Sequence, residues 1–198
     1  MVKIIMRDAE TTRNKILEVA ADEIHKNGFN NTSLATILKR CEISKGALYH
    51  HFENKIELGY AVFEEIYTPS FLNMWRPALT CDDPVEGLCE FFQNMTTMSC
   101  EDLMCGCPLN NLCQEMSGID EGFRIRILSM QQQLNQLLVN AFNNSKYPLK
   151  TELNYSQIAY FIVSTLNGSS GLSKSTRSKD LFVMVINELC RYLQTLKQ

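Results

Sequence analysis

The sequence predicts an all-α fold, on three observations. Apolar residues recur at helical spacing over most of the 198-residue chain. No segment sustains the apolar/polar alternation of a half-buried strand. The gaps between periodic stretches carry helix caps and stops: Asn27-Gly28, Asp82-Asp83-Pro84, Cys105-Gly106-Cys107-Pro108, Ser117-Gly118 and the run from Asn143 to Pro148. With 45% hydrophobic and 21% charged residues, the composition is that of a folded globular protein and excludes a disordered one.

The first helix is predicted over 12–26, because Ile16, Leu17, Ala20 and Ile24 form one apolar stripe, Thr12 can cap it and Asn27-Gly28 supplies a left-handed stop. Thr32 or Ser33 can cap a short helix ending at Cys41, and Ser44 another ending near Phe52, with only Glu42-Ile43 between them. Two short helices joined by so tight a turn must cross at a large angle, the geometry of a helix-turn-helix. A long helix is predicted over 55–75, apolar at Ile56, Leu58, Ala61, Val62, Ile66 and Tyr67, with Pro69 kinking it or ending it early. Helices follow at 84–99, 108–117, 120–143, 153–168 and 179–196, the last two separated by a break from Gly168 to Ser178. The expected organisation is a three-helix domain over 1–58, whose next helix continues as a connector, and a helical C-terminal domain over 59–198, with a loop at 77–84 marking the break.

Net charge is −3, which excludes a uniformly basic nucleic-acid binder. The charge is uneven: residues 1–60 hold nine Lys/Arg against eight Asp/Glu, the rest ten against fourteen, and His25, His50 and His51 all lie in the first part. Recognition of nucleic acid must therefore rest on where single basic groups sit. No apolar run approaches the roughly 18 residues that span a bilayer, and the stretch from Met1 to Met6 is too short for the apolar core of a signal peptide. A cytoplasmic protein is expected, its eight cysteines reduced.

Within 32–55, Ile37, Leu38, Cys41, Ile43, Leu48 and Phe52 are spaced to share a core with the first helix. Leu48 and Phe52, one turn apart, point inward and so drive Lys45, Tyr49 and His50 outward, with Gly46 at the first turn. Such a helix can enter a DNA major groove, where Gly46 leaves the backbone free to approach a base or a thymine methyl. Tyr49, His51, Ser44, Thr32 or Ser33, and Lys55 suit phosphate oxygens, which fix register without reading sequence. Taken alone, Tyr49-His50-His51 on a helix reads first as a solvated polar face. Neighbouring helical histidines point about 100° apart and are poorly placed to share a metal ion.

The string from Ser44 to Leu58 (Ser-Lys-Gly-Ala-Leu-Tyr-His-His-Phe-Glu-Asn-Lys-Ile-Glu-Leu), preceded by Asn27-Gly-Phe-Asn-Asn-Thr-Ser33, resembles the DNA-binding domain of the TetR family of bacterial repressors over 11–60. Glu42 departs from the family pattern, which usually has glycine in that turn. The resemblance implies a homodimer that reads a pseudo-palindromic operator, one helix-turn-helix per half-site. The candidate DNA-binding set is Thr32, Ser33, Ser44, Lys45, Gly46, Ala47, Tyr49, His50, His51 and Lys55.

By the same resemblance, the helices at 153–168 and 179–196 form the dimer interface and the C-terminal domain binds a small-molecule effector that releases DNA. Their apolar stripes (Tyr155, Ile158, Ala159, Ile162, Leu166; Leu181, Val185, Ile186, Leu189, Leu193, Leu196) fit a partner or the chain's own core alike. Phe91, Met95, Met98, Cys107, Phe123, Met130 and Phe161 are the candidate effector-pocket residues, types suited to an adaptable apolar pocket. Around Gly106-Cys107-Pro108 the chain is similar to one branch of the family. Cys107 stands before a helix start, where the dipole favours thiolate, so switching by thiol modification is the alternative to a reversible ligand. The spacing of Cys100, Cys105, Cys107 and Cys113 is not that of a usual metal site, so no metal or cofactor is expected. A thiol enzyme is disfavoured because the only histidines belong to the DNA-reading part.

Overall fold

The computed structural model describes residues 2–150 and 152–198, with side chains over 10–103, 105–150 and 152–198. Among the described residues the fold is all-α as predicted, and the pairing of extended backbone is an isolated bridge between Leu149 and Lys197. The chain divides into two compact units, the first joining Met1–Ser70 to Asn111–Ile127 and the second joining Phe71–Asn110 to Leu128–Gln198. The first unit thus takes in a segment expected in the C-terminal domain, and the chain leaves it inside a helix rather than in the 77–84 loop.

In the first unit, α1 (Val2–Asn27) starts well before Thr12, since residues 2–11 contain neither glycine nor proline to interrupt it. Its stripe of Ile16, Leu17, Ala20 and Ile24 is buried, and Gly28 at φ 80° ends it. Next come α2 (Leu34–Cys41) and α3 (Lys45–His51), capped by Ser33 and Ser44, whose hydroxyls accept the N–H groups of Thr36 and Ala47. In the turn between them Glu42 is left-handed at φ 56°, and the N–H groups of Glu42 and Ile43 close on the carbonyls of Lys39 and Leu38 at 3.3 and 3.2 Å, a Schellman stop. Then α4 (Lys55–Ala61), a π-helical stretch (Val62–Tyr67) and α5 (Thr68–Leu79) run on without a break. Pro69 does not end the helix: the wider π-turn ahead of it makes room for a ring that would strike the carbonyl four residues back in a regular α-helix.

In the second unit α6 (Pro84–Thr96) begins as expected, Asp83 accepting the N–H groups of Val85 and Glu86 with Pro84 in the first turn. A short α7 (Cys100–Cys105), capped by Ser99, was not expected. The remaining helices are α8 (Pro108–Met116), α9 (Glu121–Asn143), α10 (Tyr155–Thr176) and α11 (Lys179–Gln194). The expected break at Gly168 is absent, and α10 runs on to Arg177, a left-handed cap at φ 52°. Ser169 and Ser173 are buried there, donating to the Leu166 and Ser178 carbonyls. Trp75, Phe92 and Phe182 are fully buried in the core of this unit, with Ile162, Ile186, Leu189 and Leu193.

Candidate DNA-reading face

Leu48 is 0% exposed and Phe52 4%, which turns the other side of α3 to solvent. Lys45, Gly46, Tyr49 and His50 are exposed there, with Ala47 and His51 half-exposed. Tyr49 keeps 43% of its surface in solvent, and Lys45 Nζ lies 5.6 Å from its ring centroid, a weak attraction at an exposed site. His50 and His51 meet edge-on at 5.2 Å. Burial, and then the neighbouring His50 and Arg13, hold His51 below the usual histidine range. Gly46 lies in regular helix, and a Cβ added there would meet only Ser44 Oγ, at 3.9 Å. The fold does not require glycine at that position.

Two members of the candidate set face elsewhere. Thr32 is buried, its hydroxyl donating to the Gly28 carbonyl at 2.7 Å, so Ser33 is the outward member of that pair. Lys55 is half-buried, with Nζ donating to the Asn30 carbonyl at 3.1 Å and standing 4.7 Å over the Phe29 ring. Burial pushes its pKa down against the pull of Glu115. Lys55 therefore braces the α1–α2 turn instead of standing free for phosphate. Of the other cations, Arg40 pairs with Asp22 and Glu23 and Arg13 with Glu65, which leaves the outward charge of α3 to Lys45.

What supports this face went unseen in the sequence. The Glu115 carboxylate accepts the N–H groups of Phe29 and Asn30, each at 2.7 Å. Tyr60 donates to Asp120 at 2.6 Å, and Arg126 lies 3.8 Å over the Tyr60 ring and 3.0 Å from Glu64. Phe123 is fully buried and meets Tyr60, Phe29 and Phe63 edge-on at 4.8, 5.4 and 6.4 Å. Gly59 is needed below this cluster, because a Cβ there would come within 2.4 Å of the Phe29 ring. These partners lie far apart in the chain, and no local pattern signals them.

The effector-pocket candidates are not gathered into one site. Phe123 belongs to the aromatic cluster of the first unit. Phe161 is 47% exposed, packed edge-on against Tyr192 at 4.8 Å, and Met98 is exposed. Met130 is buried, Met95 is half-buried, and Phe91 is half-buried against Trp75 at 5.1 Å. Cys107 is half-exposed, and burial pushes its thiol up although the amides of Asn110 and Leu109 pull the other way, so the expected thiolate is not favoured. The second unit does hold a cavity of about 440 Å³ between the end of α5 and α6, lined by Met74, Ala78, Cys81, Glu86, Glu90 and Phe91 among others. An apolar groove of about 280 Å³ lies on α10 and α11, lined by Phe161, Thr165, Met184, Val185, Leu189 and Tyr192. The α10 and α11 stripes from Ile158 to Leu166 and from Ile186 to Leu196 are largely spent on the unit's own core, which leaves this second face apolar and open.

Two short capped helices, α2 and α3, joined by a tight turn and packed on α1, form a helix-turn-helix. Residues 16–62 match the family model for bacterial regulatory proteins of the tetR family, and residues 84–188 match that for the C-terminal domain of LmrA/YxaF-like transcriptional regulators. The chain belongs to the TetR family of transcriptional regulators. Among similar proteins, the HTH-type transcriptional regulator UidR of Escherichia coli (strain K12) is 33% identical over 44% of this chain, a match that spans only 41% of UidR itself. An uncharacterized HTH-type regulator in the lacX 3′ region of Lactococcus lactis subsp. lactis is 29% identical over 89% of each chain. The solved TetR-family regulator from Cytophaga hutchinsonii has the same fold, with a TM-score of 0.86 and 20% identity over 96% of each chain. No helix among the described residues is long and apolar enough to cross a membrane.

Proposed function

We propose that the protein is a sequence-specific DNA-binding repressor, acting as a homodimer that places α3 of each subunit in a major groove of a pseudo-palindromic operator. The observation that carries this reading is the outward set Lys45, Gly46, Tyr49 and His50 on a helix whose other side is fully buried, with a glycine that neither backbone nor packing requires. Ser33, Ser44, Ala47 and His51 flank it as phosphate contacts and close approach. The open apolar face with Phe161 and Met184 supports dimerisation through α10 and α11. A small-molecule effector bound in the second unit releases the operator, and the 440 Å³ cavity is large enough for one.

The test is selection of bound duplexes from a random pool, then gel shift across a salt series. Binding is expected to weaken steeply with salt. Lys45→Ala and Tyr49→Ala are expected to abolish the shift while leaving thermal unfolding unchanged, and intact binding by both would refute this placement of the face. For the effector, the single tryptophan is a built-in reporter, because Trp75 packs against Phe91 on the cavity wall. Ligands that release DNA are expected to change its fluorescence.

A further inference from the structure

Cys89 on α6 and Cys190 on α11 lie side by side although 101 residues separate them. Cys89 Sγ donates to the Cys190 carbonyl oxygen at 3.7 Å, and Cys190 Sγ donates to that of Cys89 at 3.9 Å. Each sulfur also receives a glutamine amide, Gln194 Nε2 at 3.6 Å from Cys89 and Gln93 Nε2 at 3.7 Å from Cys190. Cys89 is buried and Cys190 half-exposed. We propose that this pair is a modification site, a dithiol that a hydroperoxide closes into a disulfide between α6 and α11.

The half-exposed Cys190 is the sulfur that meets the oxidant. It attacks the O–O bond, becoming a sulfenic acid as the peroxide leaves as an alcohol or, for hydrogen peroxide, as water. Cys89 then displaces the sulfenic hydroxyl, which leaves as water with the Cys89 thiol proton. Two thiols lose two electrons and two protons, and the peroxide takes them up. Because each thiol already reaches the other residue's backbone carbonyl, the two cysteines stand on neighbouring turns of packed helices, close enough for an S–S bond of about 2 Å to form by side-chain rotation and a small local adjustment. Burial first, then the neighbouring Cys190, push Cys89 up to about 12, so its thiolate is scarce at neutral pH and its attack is slow there. The Gln194 amide opposes this by supporting the thiolate as it forms. Closure is therefore expected to quicken as pH rises.

The experiment treats the reduced full-length protein with hydrogen peroxide at neutral and mildly alkaline pH, blocks free thiols and maps the peptides by mass spectrometry. The expected product is an intramolecular species lighter by about 2 Da in which the Cys89 and Cys190 peptides are joined. It is expected to form faster at the higher pH and to revert with a thiol reductant. Cys190→Ser and Cys89→Ser should each lose the joined peptide, whereas Cys81→Ser should keep it. If Cys89→Ser fails to fold, Cys190→Ser, at the half-exposed position, carries the same test. Recovery of both cysteines in blocked, unjoined form while other cysteines are oxidised would overturn the proposal, as would a bond that forms only between chains.

Discussion

At Gly46 the residue type and the backbone disagree. Glycine in a helix costs up to about 1 kcal/mol against alanine, less in the first turn where Gly46 lies, and nothing in the structure stands where a methyl group would go. Gly46→Ala is therefore expected to raise stability by about 0.5 kcal/mol in denaturant titration and to weaken operator binding at least about tenfold in gel shift. Normal binding by that variant would remove Gly46 from the reading face. Glu42 shows the reverse mismatch, a side chain held at φ 56° where glycine fits without strain, and there the Schellman stop holds it. Tyr60 and Asp120 carry a pH signature. The Tyr60 hydroxyl, with the Phe123 N–H, holds Asp120 below its ordinary value of 3.8, so its contribution is complete above that value and is lost as pH falls through the depressed one. Asp120 raises Tyr60 above 10.0, so the tyrosine's contribution is complete below that value and is lost as pH rises through the elevated one. Tyr60→Phe is expected to cost about 1 kcal/mol near neutrality, with the difference from wild type shrinking towards both extremes. A difference that stays constant through the acid limb of a pH-stability curve would rule out the hydrogen bond as its source.

The turn between α1 and α2 depends on a residue from another part of the chain. Without Glu115, the Phe29 and Asn30 N–H groups lose their carboxylate acceptor, at a cost of about 2 kcal/mol. Glu115→Ala is expected to lower stability by that order and to speed amide exchange at Phe29 and Asn30 in the turn more than at positions within α1. The same contrast separates what was legible in the sequence from what was not. The Ser44 cap, the Gly28 stop and the inward Leu48 and Phe52 are local rules, and the structure follows them. Whether Thr32 or Ser33 faced out depended on how the chain leaves Gly28, which adjacent hydroxyls do not reveal. Lys55 read as a free cation because its partners, Asn30 and Glu115, are non-local. The passage of α10 through Gly168 and Gly171 overrides a propensity penalty of about 1 kcal/mol per glycine, with buried Ser169 and Ser173 returning hydrogen bonds to backbone carbonyls.

For the molecule as a whole, the stripes on α10 and α11 that could have served a partner are largely taken by the core of the second unit. The face left for one carries Phe161 at 47% and Met184 at 60% exposure. Phe161→Asp combined with Met184→Asp is expected to shift the protein to a monomer in sedimentation velocity and to lose operator binding while keeping its helical content. A dimer of unchanged stability would place the interface elsewhere.

The discontinuity of the first unit has a consequence for synthesis. A ribosome makes α1 to α4 first, but the carboxylate that closes their first turn and the ring that fills their aromatic cluster belong to residues 115 and 123. At ordinary elongation rates that is a delay on the order of seconds. Until then Phe29, Tyr60 and Phe63 lack the ring that packs edge-on against them, and the Phe29 and Asn30 N–H groups lack their carboxylate acceptor. The first unit is thus completed only once residues 115 and 123 have been translated, so α1 to α4 on their own are not the finished unit.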